Sequence, residues 1–245
     1  MKITVLTFFP DIFKTYIETV APFKKGIASG LLEINLIQIR DFTKDKHRRT
    51  DGYPFGGGAG LVLFCQPVLD ALSSIPDKGR VLFTSPGGRK FDHDYAVELS
   101  GEGHIVFVAG RYEGYDKRIF DSIQHEKVSI GDYVLTGGEI AALAVIDAAV
   151  RQIPGVLDNE DSLKEESFSS CLLEYDHYTR PREYEGRNVP EVLFSGNHAE
   201  IAKARRKWSL INTYENRPDL LKAIALTEDD IEILKQHVKE KYRGY

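Results

Sequence analysis

The chain has 245 residues, 42% of them hydrophobic, enough for one large α/β domain or a domain of about 150 residues with a smaller one beside it. A formal net charge of −5 and a pI of about 5.8 exclude a molecule that holds polyanions by overall charge, so a nucleic acid would have to meet a local basic patch. The two cysteines, Cys65 and Cys171, sit in no Cys-x-x-Cys or Cys/His pattern; this argues against zinc and for a reducing, cytoplasmic setting.

In chain order, "KITVLTF" (2–8) is the first expected strand. Pro10-Asp11 stops this apolar run and no small-residue cleavage site follows, so no signal peptide is expected. A helical pattern covers about 11–28, and "EINLIQI" (33–39) is the next strand. The basic run "KDKHRR" (44–49) leads into "DGYPFGGGAG" (51–60), where Tyr53, Pro54 and Phe55 suit a ligand-facing loop at least as well as a flexible spacer. A helix at about 66–74, the strand "RVLFTS" (80–85), a helix at about 91–100, the strand "HIVFVAG" (104–110) and a helix at about 115–122 complete the alternation. It predicts an α/β fold with a largely parallel sheet, whose carboxyl strand ends are where ligands bind.

Glycine turns follow two of these strands, "SPGG" (85–88) and "GRYEG" (110–114), and a third cluster is "SIGDYVLTGGE" (129–139). Any one could be an ordinary tight turn, but three together point to bare backbone that a ligand can approach. "GEGHIV" (101–106) lacks the third glycine of GxGxxG, and no glycine loop ends in Gly-Lys-Ser/Thr, so a standard dinucleotide or P-loop site is not expected. "EIAALAVIDAAVRQ" (139–152) is apolar on almost every face, which makes it a core helix or part of a subunit interface. Its apolar run falls short of the roughly 20 residues that span a bilayer. Arg151 at its end is a helix-terminal charge or a catalytic group.

Residues 158–176, "DNEDSLKEESFSSCLLEYD", carry seven acids against one lysine and break the α/β rhythm, as an interdomain linker would. The expected organisation is therefore an α/β domain over 1–157, a linker over 158–176 and a small all-helical domain over 177–245. That domain would hold a helix capped by Asn197, with Glu200 three residues on, and helical segments at about 217–225 and 228–242. Arg180, Arg182, Arg187, Lys203, Arg205, Arg206 and Lys207, interleaved with Tyr178, Tyr184 and Trp208, suit a phosphate backbone with unstacked bases, or a solvated helix face.

Taken in order, "GGGAG", "SPGGRK", "GRYEGYDKR", "SIGDYVLTGGE", "RQIPGV", "HYTRP" and "SGNHAEI" resemble the bacterial tRNA (guanine-N1)-methyltransferases, members of the trefoil-knot, or SPOUT, class. The resemblance implies a homodimer with its active site at the subunit interface, and S-adenosylmethionine bound in a deep trefoil knot, a rare exception to unknotted topology. It implies methylation of N1 of guanosine 37, just 3′ of the tRNA anticodon, a need for Mg²⁺ at a position the sequence does not give, and a helical domain that holds the anticodon stem-loop. On the same matching, Ser85, Pro86, Gly110, Glu113, Ser129, Ile130, Gly131, Tyr133, Leu135, Gly137 and Gly138 fall at cofactor-contacting positions.

Guanine N1 carries a proton at neutral pH, so methyl transfer needs a base for that proton and a donor for charge developing on O6. The family's arginine falls on Arg151, as O6 stabiliser. The family's base is an aspartate in a Glu-Asp-Ser-Phe segment that here reads "EESF", putting Glu166 at its position, with Asp161 the alternative. Two further departures are Gly52, where the family has an aspartate, and Cys171, where it has a glycine. The competing readings are a knotted methyltransferase for another RNA site and a non-catalytic tRNA-binding module.

Overall fold

Two runs of the sequence, "KITVLT" and "HIVFV", are rich in β-branched and apolar residues, and strands buried on both faces are stable only with layers packed on either side. In a computed structural model, which describes residues 1–159 and 161–243 apart from the side chains of 161 and 162, they are β1 (Lys2–Thr7) and β6 (His104–Val108), at the centre of the sheet. β2 (Glu33–Gln38) flanks β1, while β5 (Arg80–Lys90) and β7 (Glu126–Ser129) continue beyond β6. The order is β2-β1-β6-β5-β7 and every pairing is parallel.

Alternate side chains feed two cores. Ile3, Val5, Leu82, Ile105 and Phe107 pack with α1 (Pro10–Thr19), α2 (Ala21–Ala28), α4 (His93–Ser100) and α6 (Glu139–Val150). Leu6, Phe83, Val106 and Val108 pack on the other face with α3 (Cys65–Ser73) and α5 (Lys117–Ser122). Between β2 and α3, β3 (Asp51–Gly52) and β4 (Val62–Leu63) form a short antiparallel pair. The expected helix over 11–28 is two helices, because Pro22 lacks an N–H and its ring excludes the carbonyl four residues back. β7 was not expected: "EKVS" has one apolar residue and gains its strand form from pairing with β5.

Contacts divide the chain into Met1–Asp158 and Asn159–Tyr245. The second unit contains α7 (Asp161–Glu165), α8 (His198–Asn216) and α9 (Glu228–Lys241). Asn197 caps α8, accepting from the N–H groups of Ala199 (3.2 Å) and Glu200 (3.3 Å). The unit is not all-helical: β8 (Glu183–Tyr184) and β9 (Arg187–Asn188) form a hairpin through Glu185 and Gly186. Their φ values of 51° and 76° match a type I′ turn, with glutamate where asparagine is usual. The segment around 217–225 is reduced to a 3₁₀ turn, Leu220–Ala223.

The end of the acidic stretch expected as a linker, Leu173–Asp176, is hydrogen-bonded to α8. Leu173 N–H donates to Thr213 Oγ1 (2.9 Å), Ser209 Oγ donates to Leu173 O, and Asn212 Nδ2 donates to Glu174 O (3.1 Å). Among the described residues no helix is long and apolar enough to cross a membrane.

Candidate active site

A cavity of about 290 Å³ opens at the carboxyl ends of β5, β6 and β7. All eleven residues expected at cofactor positions, Ser85, Pro86, Gly110, Glu113, Ser129, Ile130, Gly131, Tyr133, Leu135, Gly137 and Gly138, line it. Thr84, Arg111, Tyr112, Tyr115 and Val134 also line it, and sequence reasoning did not single them out. A larger groove of about 950 Å³ lies at the amino ends of the strands, beside Lys2, Arg80 and His104. There Arg80 is engaged by Glu98 (2.6 Å), Glu102 (3.1 Å) and Glu126 (2.8 Å). Ligands of parallel sheets bind at the carboxyl ends, which favours the smaller cavity.

Close backbone approach shapes the cavity wall. β5 leaves its ladder after Thr84 and rejoins at Arg89, both paired with Val128, so "SPGG" loops out of the strand. Gly88 permits the return, because a Cβ there would stand 2.4 Å from Val128 N. Gly138 N–H donates to Gly110 O (2.7 Å), and Arg111 bridges Gly137. A Cβ on Gly138 would lie 1.9 Å from Thr84 Oγ1. Gly131, at φ +154°, passes under the ring of Tyr133. Desolvation pushes the Tyr115 phenol above its ordinary pKa, so it stays a neutral donor, to Val108 O at 2.8 Å. Glu113 lies against Gly60, whose added Cβ would meet Glu113 Cγ at 2.4 Å, so the glycine-rich loop over 51–60 reaches the cavity's lip.

Arg151 caps the carboxyl end of α6 and is half-buried. It does not line the cavity, because the 12 residues of α6 put about 18 Å between it and Gly138 at the helix's other end. Glu166, half-buried in the second unit, directly follows α7, and its carbonyl accepts from Ser169 Oγ at 2.7 Å. The Asp161 side chain lies outside the described residues. Beside Glu166, Tyr175 Oη donates to Glu165 Oε2 (2.6 Å), and the Arg205 guanidinium lies 4.6 Å from the Tyr175 ring centre. The Tyr175 phenol is pushed up to about 12, by desolvation first and then by Glu165.

A model of the family described as tRNA (Guanine-1)-methyltransferase TrmD matches residues 1–223. The chain belongs to the TrmD family. It is 50% identical over 236 residues to the tRNA (guanine-N(1)-)-methyltransferase of Caldicellulosiruptor saccharolyticus, with 96% of each chain covered. It is 47% identical over 241 residues to that of Dictyoglomus turgidum, and 48% over 242 residues to that of Staphylococcus epidermidis, with 98% of each chain covered in both.

The departures at Gly52 and Cys171 in this TrmD-family chain each have a structural correlate. Gly52 lies under Phe64, and a Cβ there would come within 2.6 Å of the ring. Cys171 has φ +57°, in the left-handed region where a glycine sits without strain.

The basic set expected for RNA divides in two. Arg182 pairs with Glu191 (2.7 Å), Arg206 with Asp230 (2.8 Å), Lys203 with Glu200 (3.4 Å) and Arg205 with Glu165 (3.4 Å). Among the described residues Arg180, Arg187 and Lys207 are exposed with no ion pair. Tyr178 and Trp208 stand with ring centres 6.0 Å apart. Among the described residues no group of three or more His, Cys, Asp or Glu converges as a metal site, so the Mg²⁺ expectation finds no protein ligand set there.

Proposed function

We propose that this chain transfers a methyl group from S-adenosylmethionine to N1 of guanosine 37 of tRNA. The observation that carries the reading is the gathering of all eleven expected cofactor residues on one cavity at the carboxyl ends of three neighbouring strands. The cavity fits such a cofactor chemically. Pro86, Ile130 and Leu135 offer apolar surface for a purine, the loop backbones offer N–H and C=O groups, and Glu113 offers a negative charge. When bound, S-adenosylmethionine supplies an electrophilic methyl group.

The chain's own residues do the rest. The Glu166 carboxylate accepts the N1 proton, with Asp161 the alternative, and the Arg151 guanidinium donates to O6 as charge develops there. Arg151 lies one α6 length, about 18 Å, from the cavity of its own subunit. That separation supports a homodimer in which Arg151 serves a site completed by a second copy. Tyr133, Val134 and Ile140, exposed at 55%, 84% and 60%, supply apolar surface for such an interface.

The contact of the 110–111 backbone with 137–138 supports the expected trefoil knot. The anticodon stem-loop is assigned to the second unit, through Arg180, Arg187, Lys207 and the aromatic pair Tyr178 and Trp208. The chain works in the cytoplasm.

The test is transfer of labelled methyl, with Mg²⁺ present, to an unmodified transcript carrying G at position 37 and to the same transcript carrying A there. Label on the first alone, recovered as 1-methylguanosine, is expected. Label on ribose, or equal label on both transcripts, would sink the reading.

A further inference from the structure

One acid, directly behind the cavity-lining Gly137 and Gly138, has no part in the chemistry above. Glu139 is the first residue of α6 and only 2% exposed. A buried carboxylate is costly unless it is paired and hydrogen-bonded, and this one is met from two other segments. Arg111 Nε donates to its Oε1 at 3.1 Å, and Thr7 Oγ1, at the end of β1, donates to the same oxygen at 3.4 Å. Thr7 in turn accepts from Phe9 N–H (3.1 Å), and the Arg111 guanidinium lies over the Phe9 ring at 4.1 Å. The amino end of α6 adds a favourable field.

This pair presses directly on the cavity loops. A Cβ on Gly137 would meet Glu139 Oε2 at 2.4 Å and Arg111 Nε at 2.9 Å. The backbone of 110–111 is tied to 137–138 at the same place, by the Gly138 N–H to Gly110 O bond (2.7 Å) and the Arg111–Gly137 bridge. One carboxylate thus joins the ends of β1 and β6 to the start of α6.

We infer that Glu139 is a positioning residue for the cofactor: through Arg111 it holds the 110–111 and 137–138 backbones in register, so the cavity is preformed before the cofactor arrives. The inference rests on the cofactor reading of the cavity. Loops misplaced by about 1 Å cost on the order of a hundredfold where geometry governs.

The test compares wild type, Glu139→Gln, Glu139→Asp and Gly137→Ala. It measures the Kd for S-adenosylhomocysteine by calorimetry, KM for S-adenosylmethionine and for a tRNA transcript, and the thermal midpoint. Glu139→Gln is expected to raise Kd and cofactor KM by about ten- to a hundredfold, to leave tRNA KM within about twofold, and to be partly rescued in Glu139→Asp, which keeps the charge. Gly137→Ala wedges the pair apart with both charges retained and is expected to weaken the cofactor in the same way, which keeps the test open if Glu139→Gln does not fold. Unchanged Kd in the folded variants would overturn the inference, as would a parallel loss in both KM values that follows the thermal midpoint. Wild type that fails to bind S-adenosylhomocysteine would instead overturn the cofactor reading itself.

Discussion

The loops of the cavity and the segment that carries Glu166 are both irregular backbone, yet they are held by different means. Around the cavity, shape comes from close approach: Gly110, Gly137 and Gly138 stand where an added Cβ would lie within 2.4 Å of Tyr115, Glu139 and Thr84 atoms. In the segment 166–176 the bends fall on Phe168 (φ 78°) and Cys171 (φ 57°), which are not glycine. Shape there comes from side-chain hydrogen bonds, such as Ser167 Oγ accepting from Glu174 N–H at 2.9 Å. A site built from backbone fixes residue type by collision. On the proposed reading, the segment that presents the Glu166 carboxylate is fixed instead by the hydrogen bonds of its side chains.

The largest effect expected from breaking this comparison is on the side-chain half. Glu166→Gln should lower the single-turnover rate by about 10²–10⁴ while cofactor affinity stays near wild type, because Glu166 does not line the cavity. Rapid-quench transfer to saturating tRNA reads this. An unaltered rate, with a collapse in Asp161→Asn, would move the base to Asp161.

On the backbone half, Gly138→Ala should cost about 1–3 kcal/mol of first-unit stability and weaken the cofactor, since its Cβ enters Thr84 and crowds Gly110 N at 3.1 Å. Gly87→Ala is the control for stability. Its Cβ meets nothing closer than Ser85 Oγ at 4.0 Å, so a change within about 0.5 kcal/mol is expected. Denaturant titration of both variants separates collision from a general dislike of side chains in these loops.

The two halves also differ in how far the sequence exposes them. β1 and β6 are legible because each is a short run rich in β-branched and apolar residues. The cavity is legible because glycines forced by collision also make a recognisable pattern. Glu139 is not, since an acid in a first helical turn is ordinary, and only the positions of Thr7 and Arg111 reveal that it is buried. The order of the acidic segment is hidden for a related reason: its partners, such as Thr213 for Leu173, lie 40 residues away. The basic residues near Trp208 read either as an RNA-facing set or as a solvated helix face, and what divides them, the pairing of four of the seven with acids, depends on the fold.

Asp230 tests how firmly that second unit is framed. Its side chain is 4% exposed, pairs with Arg206 at 2.8 Å and closes the capping box with Thr227. The Arg206 guanidinium first, and the Thr227 hydrogen bonds with it, hold its pKa down at about 2 against desolvation. A lowered folded pKa contributes stability above the unfolded value of about 3.9, and that stability is lost as pH falls toward 2. Asp230→Asn should therefore cost about 1–2 kcal/mol at pH 7, discounted because Arg206 is 41% exposed. The gap from wild type should close between about pH 4 and pH 2. A gap that does not narrow with acid would show that packing, not charge, holds α9.

The smallest expected effect is the most direct on the segment that carries Glu166. A left-handed backbone costs an L-residue roughly 1–2 kcal/mol, and Cys171, at φ 57°, bears that cost beside Phe168. Glycine removes it, while its greater freedom in the unfolded chain takes back about 0.4–1 kcal/mol. Cys171→Gly should therefore stabilise the second unit by up to about 1 kcal/mol, read as a small rise in denaturation midpoint at constant slope. Cys171 N–H donates to Phe168 O (3.1 Å) and Phe168 N–H to Leu172 O (2.7 Å), bonds that a glycine retains, so the frame around Glu166 stays closed. If the variant is less stable and also slower in single-turnover transfer, the cysteine side chain is helping to hold the segment, and the strain at 171 is part of how this chain accommodates a glutamate in place of an aspartate.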